Sequence, residues 1–398
     1  MKIGIDVTML IYQGSGVANY TFNLVKTLLE IDKENEYRLF YSSFHKQKST
    51  DYLKEFEKLG AKIYHYRFPF KFLQLCWEKL NIMPVEWLIG KVDVFFSSDF
   101  LRPPLLPKTL GITTVHDLVW KMYPQFHEDW IVTAHEKKLE KTIKYNDTII
   151  VDSQNTMQDL LKLYPQINKN KVHVIYPGID ERFCPIKDKE KIKKIIAKYL
   201  NNQLPNSKYS KQKPITNHQI PNYLLYVGAI EPRKNLDKAI EVFAELIKDK
   251  NYDDFKFIIA GRAGWKNENI FQKVKDLKLE NKVKFTGYVA DEDLPFLYNA
   301  ASLTVYLSTY EGFGLPPLES LACGTKVIAG DNSSMKETVD EKFLVDVNDK
   351  NKILEKMKYL LENKIEINSK VIKEKFAWKN SAQQFLKIIS SSQRPSSF

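Results

Sequence analysis

With 398 residues, 43% of them hydrophobic and 27% charged, the chain has the balance of a soluble globular protein and room for two separately cored domains. Its three cysteines, Cys76, Cys184 and Cys323, are odd in number and widely spaced, which excludes a secreted disulfide framework and offers no metal-ligand pattern. The formal net charge of +11 does not indicate nucleic-acid binding: the lysines alternate with acids along helical faces, as in "EKKLEKTIK", and no zinc-finger spacing or RNP-like signature occurs. A basic surface instead favours phosphorylated substrates or an anionic membrane leaflet.

The first strand, "KIGIDV", begins at Lys2 with no signal peptide ahead of it. No apolar run approaches the roughly 20 residues of a spanning helix, so a cytoplasmic protein is expected. Next comes "YQGSGVANY", where Gly14 and Gly16 flank Ser15 and lead into the helix "YTFNLVKTLLEI". Such a turn admits a phosphate at the helix N-terminus, or simply turns the chain. The runs "YRLFYSS", "KIYHYRF", "DVFFSS", "GITTVHD", "DTIIVDS" and "KVHVIYPG" read as further buried strands. Between them, Lys62–Leu88 is both basic and aromatic, a composition that suits a surface resting on a membrane or a core helix with lysines extended to solvent. His116, with Asp117, ends one of these strands, where an imidazole bonds a sugar hydroxyl, assists a proton or packs structurally.

After the polar stretch Asn201–Asn222, read as a mobile surface insertion, the alternation restarts with "YLLYVGA", "FKFIIAG", "KVKFTG", "LTVYLS", "TKVIAG" and "FLVDV". Arg233 and Lys234 follow the first of these strands, just ahead of a helix that Asn235 is expected to cap. Two cations at a helix start oppose the helix dipole, so a diphosphate is the better reason for them. Gly261, Arg262 and Trp265 follow the next strand, and Tyr288 and Val289, whose backbone suits a base edge, follow the third. Asp291, Glu292 and Asp293 precede the helix "LPFLYNAA", where capping explains them better than a metal. In "YEGFGLPPLES", Glu311 lies in the turn after a strand and Glu319 one turn into the next helix. That helix starts at Pro316 and Pro317 and stops at Gly324, and the N–H groups at its start are expected to face a ligand. The tail "SSSQRPSSF" reads as frayed.

Strands alternating with helices of ten or more residues mean parallel sheets with right-handed crossovers. The fold class is therefore α/β, with two doubly wound Rossmann-like domains joined near Pro177 and Gly178 and facing across a cleft.

With these pieces placed, the chain resembles the large retaining glycosyltransferase family 4, which has the GT-B fold. The densest match runs from "YVGAIEPRKNL" to "TKVIAG", and Glu311 and Glu319, with seven residues between them, match the family's E-x7-E motif. The resemblance implies an acceptor-binding domain at 1–178, a nucleotide-sugar-binding domain at 179–378, and a helix over 379–398, "WKNSAQQFLKII" onward, that crosses back to the first. It implies that Glu311 and the backbone of Gly312, Phe313, Gly314 and Leu315 hold the donor sugar and its phosphate, and that Glu319 bonds the ribose. Arg233 and Lys234 would neutralise the departing diphosphate, with Gly261, Arg262, Tyr288 and Val289 around the nucleotide. Gly14, Ser15 and Gly16 would touch phosphate, although Ser15 interrupts the family's adjacent glycines, and His116 would lie against the transferring sugar.

No metal and no cofactor is then required. The donor would be GDP-mannose, on a likeness to bacterial mannosyltransferases of polysaccharide assembly, or a UDP-sugar, and the acceptor a glycan or lipid-linked glycan. A nucleotide-sugar 2-epimerase on the same fold and a non-catalytic sugar-binding protein stay open as rivals.

Overall fold

A computed structural model describes residues 1–12, 14–44, 50–98, 100–201, 220–264 and 266–392. Trp265 and residues 202–219 of the polar stretch lie outside them, as does the tail from 393 on. Each of these two stretches begins in a helix. Asn201 closes the helix Lys189–Asn201, and Ser390 to Ser392 continue the last helix, Trp378–Ser392.

The described chain divides into two compact units, one of Met1–Gly178 plus the residues from Phe376 on, the other of Ile179–Lys375. The first holds a seven-stranded sheet of β1 (Lys2–Asp6), β2 (Glu36–Ser42), β3 (Lys62–Tyr66), β4 (Val94–Ser97), β5 (Leu110–Val115), β6 (Thr148–Val151) and β7 (Val172–Val174). Their order is β3-β2-β1-β4-β5-β6-β7, and every pairing is parallel. The second unit holds β8 (Tyr223–Val227), β9 (Lys256–Ala260), β10 (Val283–Gly287), β11 (Leu303–Tyr306), β12 (Val327–Gly330) and β13 (Leu344–Val345), in the order β10-β9-β8-β11-β12-β13, again all parallel. Each apolar run singled out in the sequence forms one of these strands. Strands such as β4, β6, β8 and β11 are buried along their whole length, because helices cover both faces of a parallel sheet.

The strand order reverses direction between β1 and β4 and again between β8 and β11. Such switch points open a crevice at the carboxyl ends of the strands, where doubly wound sheets take ligands. The two cores are separate. That of the second unit gathers Leu224, Phe243, Phe257, Ile328 and Met357; that of the first gathers Ile3, Leu24, Val94 and Phe96.

The last helix completes the first core. Trp378, Ala382, Phe385 and Ile389 pack among those residues, with Phe385 in edge contact with Phe96 at 5.1 Å. The unit boundary falls at Phe376 rather than at 379. Gly178 sits where the chain leaves this unit, and a Cβ there would collide with the backbone nitrogen of Trp378.

Candidate active site

The β8–β11 switch point is built from two loops. After β8 the chain makes a 3-10 turn, Pro232–Lys234, and enters the helix Leu236–Leu246. After β11 it runs through Glu311 into the helix Leu315–Ala322. The loops are tied together, since the Thr309 amide donates to the Arg233 carbonyl at 2.9 Å. Arg233 Nη1 stands 3.0 Å from Glu311 Oε2, and Lys234 Nζ stands 2.5 Å from Glu311 Oε1. The Tyr306 hydroxyl donates to the same Oε1 at 3.0 Å, and Arg233 Nε pairs with Glu231 at 3.0 Å.

Lys234, Glu231 and Glu311 are buried. Burial and the neighbouring guanidinium pull the Lys234 ammonium downward. The pair is nonetheless charged, because Glu311, though itself desolvated, faces two cations that hold its carboxyl at about 2. The Glu311 backbone is clamped as well: its amide donates to Ser333 Oγ at 3.0 Å and its carbonyl accepts from Ser334 Oγ at 2.9 Å.

Glu319 lies one turn into the following helix and accepts from the Tyr298 hydroxyl at 2.9 Å. Packing around it, with the carboxylates of Asp180 and Asp291 nearby, pushes it up to about 7 despite the Tyr298 bond. Arg182, paired with Asp180 at 2.6 Å, stands close enough to feel both Asp291 and Glu319. Arg262 lies over the exposed ring of Tyr288 at 4.5 Å, and the Tyr288 hydroxyl reaches Asp291 at 3.3 Å. Val289 beside it is buried. An aromatic face and a guanidinium thus stand beside carboxylates, groups able to stack on a planar ring and to accept from hydroxyls.

Three local expectations need correcting. Asn235 does not cap its helix: it takes a left-handed conformation, φ 56°, and no side-chain bond to the helix forms. Asp293 does not cap either, because Lys198 at 2.7 Å and the Tyr199 hydroxyl at 2.7 Å claim its carboxylate. Pro316 and Pro317 fall in the first turn of their helix and carry no N–H, so that helix offers an anion fewer donors than an ordinary N-terminus. Gly314, φ 88°, makes the turn before it, flanked by the buried Phe313 and the half-buried Leu315.

In the first unit, Gly14 has φ 76° and Gly16 opens the helix Gly16–Ile31. Ser15 caps that helix, its Oγ accepting from the Ala18 amide at 3.2 Å. His116 follows β5 with both ring nitrogens engaged, Nδ1 with Asp152 Oδ2 at 2.7 Å and Nε2 with the Ser98 carbonyl at 3.1 Å. Tyr20 meets the imidazole edge-on at 4.7 Å and Trp378 at 5.6 Å. His116 is thus held by contacts at both ring nitrogens and by the Tyr20 ring.

Sequence reasoning missed Glu231, Tyr298, Tyr306, Asp152, Asp180 and Arg182. Glu231 and Asp152 stand inside the quoted strand-end runs "GAIEPRK" and "TIIVDS", so position after a strand could have flagged both.

Residues 14–183 match the family model of Glycosyltransferase Family 4, and residues 208–378 match that of glycosyl transferases group 1. The chain is 30% identical to the O-antigen chain mannosyltransferase RfbU of Salmonella typhimurium, over 82% of this chain and 81% of that one. This chain is a family 4 glycosyltransferase. The transferase is also 27% identical to the O-antigen chain mannosyltransferase B of Escherichia coli, over 88% of this chain and 87% of that one. Among solved structures, the Anabaena protein HepE in complex with UDP and glucose superposes with a TM-score of 0.69, covering 98% of the transferase and 100% of HepE at 15% identity, a likeness of fold. Membership implies a sugar nucleotide as donor and a glycan as acceptor. Among the described residues, no helix is long and apolar enough to cross a membrane.

Proposed function

We propose that the transferase moves a mannosyl group from GDP-mannose to a glycan or lipid-linked glycan, with retention and without a divalent metal, in the assembly of a cell-surface polysaccharide. The observation that carries this reading is the pairing of Arg233 and Lys234 with Glu311 at the β8–β11 switch point, in a chain whose long-range relatives are named O-antigen mannosyltransferases.

Breaking the bond between sugar C1 and a diphosphate oxygen builds negative charge on the leaving group and positive charge on the sugar. Fixed cations aimed at the leaving group lower that barrier most when they are already in place. Glu311 holds Arg233 and Lys234 in place before the donor arrives. On binding, the diphosphate takes over the two cations and Glu311 turns to the sugar hydroxyls. The acceptor oxygen then bonds C1 on the face the diphosphate leaves, and its proton passes to the departing diphosphate. Glu319 accepts from the ribose, the Arg262–Tyr288 pair with Gly261 and Val289 seats the base, and the backbone of Gly312 to Leu315 lines the sugar phosphate. In the first unit, which takes the acceptor, the Gly14–Gly16 turn offers backbone to phosphate, since the Ser15 hydroxyl is spent on its helix. His116 presents a fixed ring to the sugar.

The test is incubation of the full chain with GDP-mannose or UDP-sugars and an α-linked mannose oligosaccharide, with and without EDTA. Nucleotide release is followed, and the new linkage is read by mass and NMR. An α-mannosylated product formed in EDTA supports the reading. Turnover of UDP-sugars alone moves the donor, C2-epimerised sugar without acceptor product identifies an epimerase, and sugar binding without turnover identifies a binding protein.

A specific observation also favours contact with an anionic membrane leaflet. Phe72, Leu75, Leu80, Ile82 and Trp87 are exposed together with Arg67, Lys71 and Lys79, within Lys62–Leu88. That stretch is a strand and short helices with Leu73, Cys76 and Trp77 inward, so the apolar groups facing water lie among basic ones. Co-sedimentation with anionic but not neutral vesicles tests it.

A further inference from the structure

Phe70, Phe100 and Trp130 come from three separate segments and meet beyond the carboxyl ends of β3, β4 and β5. Phe70 meets Phe100 and Trp130 edge-on at 6.4 and 6.5 Å, and Phe100 lies 5.9 Å from Trp130. Phe70 is 37% and Trp130 53% exposed, so two of the three rings present apolar faces to water. Inward, Phe100 meets His135 at 4.9 Å, and His135 stacks on Trp120 at 5.6 Å. Burial, with help from Lys138, His116 and His127, pushes His135 down to about 3, which leaves a neutral ring with one donor and one acceptor at the inner end.

On its Trp130 side the shelf carries charges unlike those around Phe72. Glu128 and Asp129 are exposed next to Trp130, and Lys121 is neutralised by Glu136 at 2.5 Å. On the Trp130 side these carboxylates accept sugar hydroxyls and disfavour anionic headgroups, while Lys71, exposed beside Phe70, borders the basic face described above. The C–H face of a pyranose is apolar and slightly electropositive, and it complements the electron-rich face of an aromatic ring. The shelf also shares its sheet edge with His116, where a doubly wound sheet takes ligands.

We propose that Phe70, Phe100 and Trp130 form the acceptor subsite of the transferase, on which the terminal pyranose rings of a glycan stack, with His135 as the polar group at the inner end. This rests on the glycan-acceptor reading above and deepens it: the chain recognises sugar rings of the acceptor directly, and not only a lipid that carries them.

The experiment titrates the full chain with α-linked mannotriose, without nucleotide, by saturation-transfer NMR, and measures GDP release from GDP-mannose separately. Trp130→Ala and Phe70→Ala are each expected to weaken trisaccharide binding about tenfold. Trp130→Phe should recover a large part of that loss. Tyr359→Ala, which removes a ring 53% exposed on the second unit, should bind as the wild type does. Shelf variants that bind the trisaccharide as tightly as the wild type overturn the proposal. So does loss of vesicle sedimentation at unchanged glycan affinity, which would make the shelf a lipid surface. A wild type that releases GDP but binds no trisaccharide overturns the shelf and leaves the donor reading standing; the opposite pattern supports the shelf and removes the donor reading.

Discussion

Lys234 Nζ stands 2.5 Å from Glu311 Oε1, both side chains are buried, and the two residues lie 77 positions apart in the chain. Removing two charges from water costs several kcal/mol for each, and a single ion pair regains it only with good geometry and further hydrogen bonds. Here Arg233 and the Tyr306 hydroxyl supply those bonds. A buried pair of this kind is a poor route to stability alone. Its place at the β8–β11 switch point fits the role proposed above, in which Glu311 holds Lys234 and Arg233 ready for a diphosphate.

Lys234→Met removes one partner and leaves Glu311 short of compensation. Urea unfolding should show a loss of about 3 kcal/mol. Adding Glu311→Gln removes the stranded charge while keeping an acceptor for Tyr306, and should restore at least half of that loss. Both variants should lose turnover. If the double variant is no more stable than the single one, the cost of Lys234→Met comes from packing rather than from an uncompensated carboxylate.

Glu319 makes stability depend on pH in a direction opposite to that of a salt-bridged acid. Its carboxyl rises from the ordinary 4.5 to about 7 in the fold, so the folded state binds more protons than the unfolded one between those values. Stability therefore falls as pH climbs through that window, by on the order of 2–3 kcal/mol. Glu319→Gln should flatten the slope, and Tyr298→Phe, which removes the donor to the carboxylate, should extend it to higher pH. Melting temperatures of the three proteins between pH 4.5 and 8 check this. Parallel curves for wild type and Glu319→Gln would assign the slope to another group.

Gly314 answers a backbone need. Its φ of 88° lies in the left-handed region, and an added Cβ would collide with the terminal methyl of Met335. Gly314→Ala should cost about 1–3 kcal/mol and raise the KM for the donor. Trimming the neighbour with Met335→Ala relieves the collision but not the backbone strain. The double variant should therefore show no recovery of donor KM beyond a small part, and full recovery would mean that contact rather than backbone angle sets the requirement.

The strands were legible because parallel strands buried on both faces appear as unbroken apolar runs, and the motif residues because they stand directly after such runs. What escaped detection depends on partners distant in sequence. Asp293 is drawn off its helix by Lys198, 95 positions away, and the Tyr298 hydroxyl meets Glu319 from another helix. The left-handed turn at Asn235 follows from how the 3-10 turn joins its helix, which side-chain chemistry alone does not specify. Phe70, Phe100 and Trp130 become one surface only once β3, β4 and β5 lie in register.

Asp152 separates stability from function. It is buried, burial raises its carboxyl above the usual range, and Oδ1 finds no hydrogen-bond partner among the described residues while Oδ2 holds His116. A carboxylate so placed carries a desolvation cost that an amide does not. Because its folded pKa is raised, that cost grows as pH climbs above the ordinary value of 3.8. Asp152→Asn should therefore melt at or above the wild-type temperature at neutral pH. It should nonetheless lower turnover about tenfold or more, because the amide is a weaker acceptor for the His116 ring. Scanning calorimetry and nucleotide release on one preparation read both effects. A melting temperature several degrees lower with turnover intact would make Asp152 a structural residue and detach His116 from the chemistry.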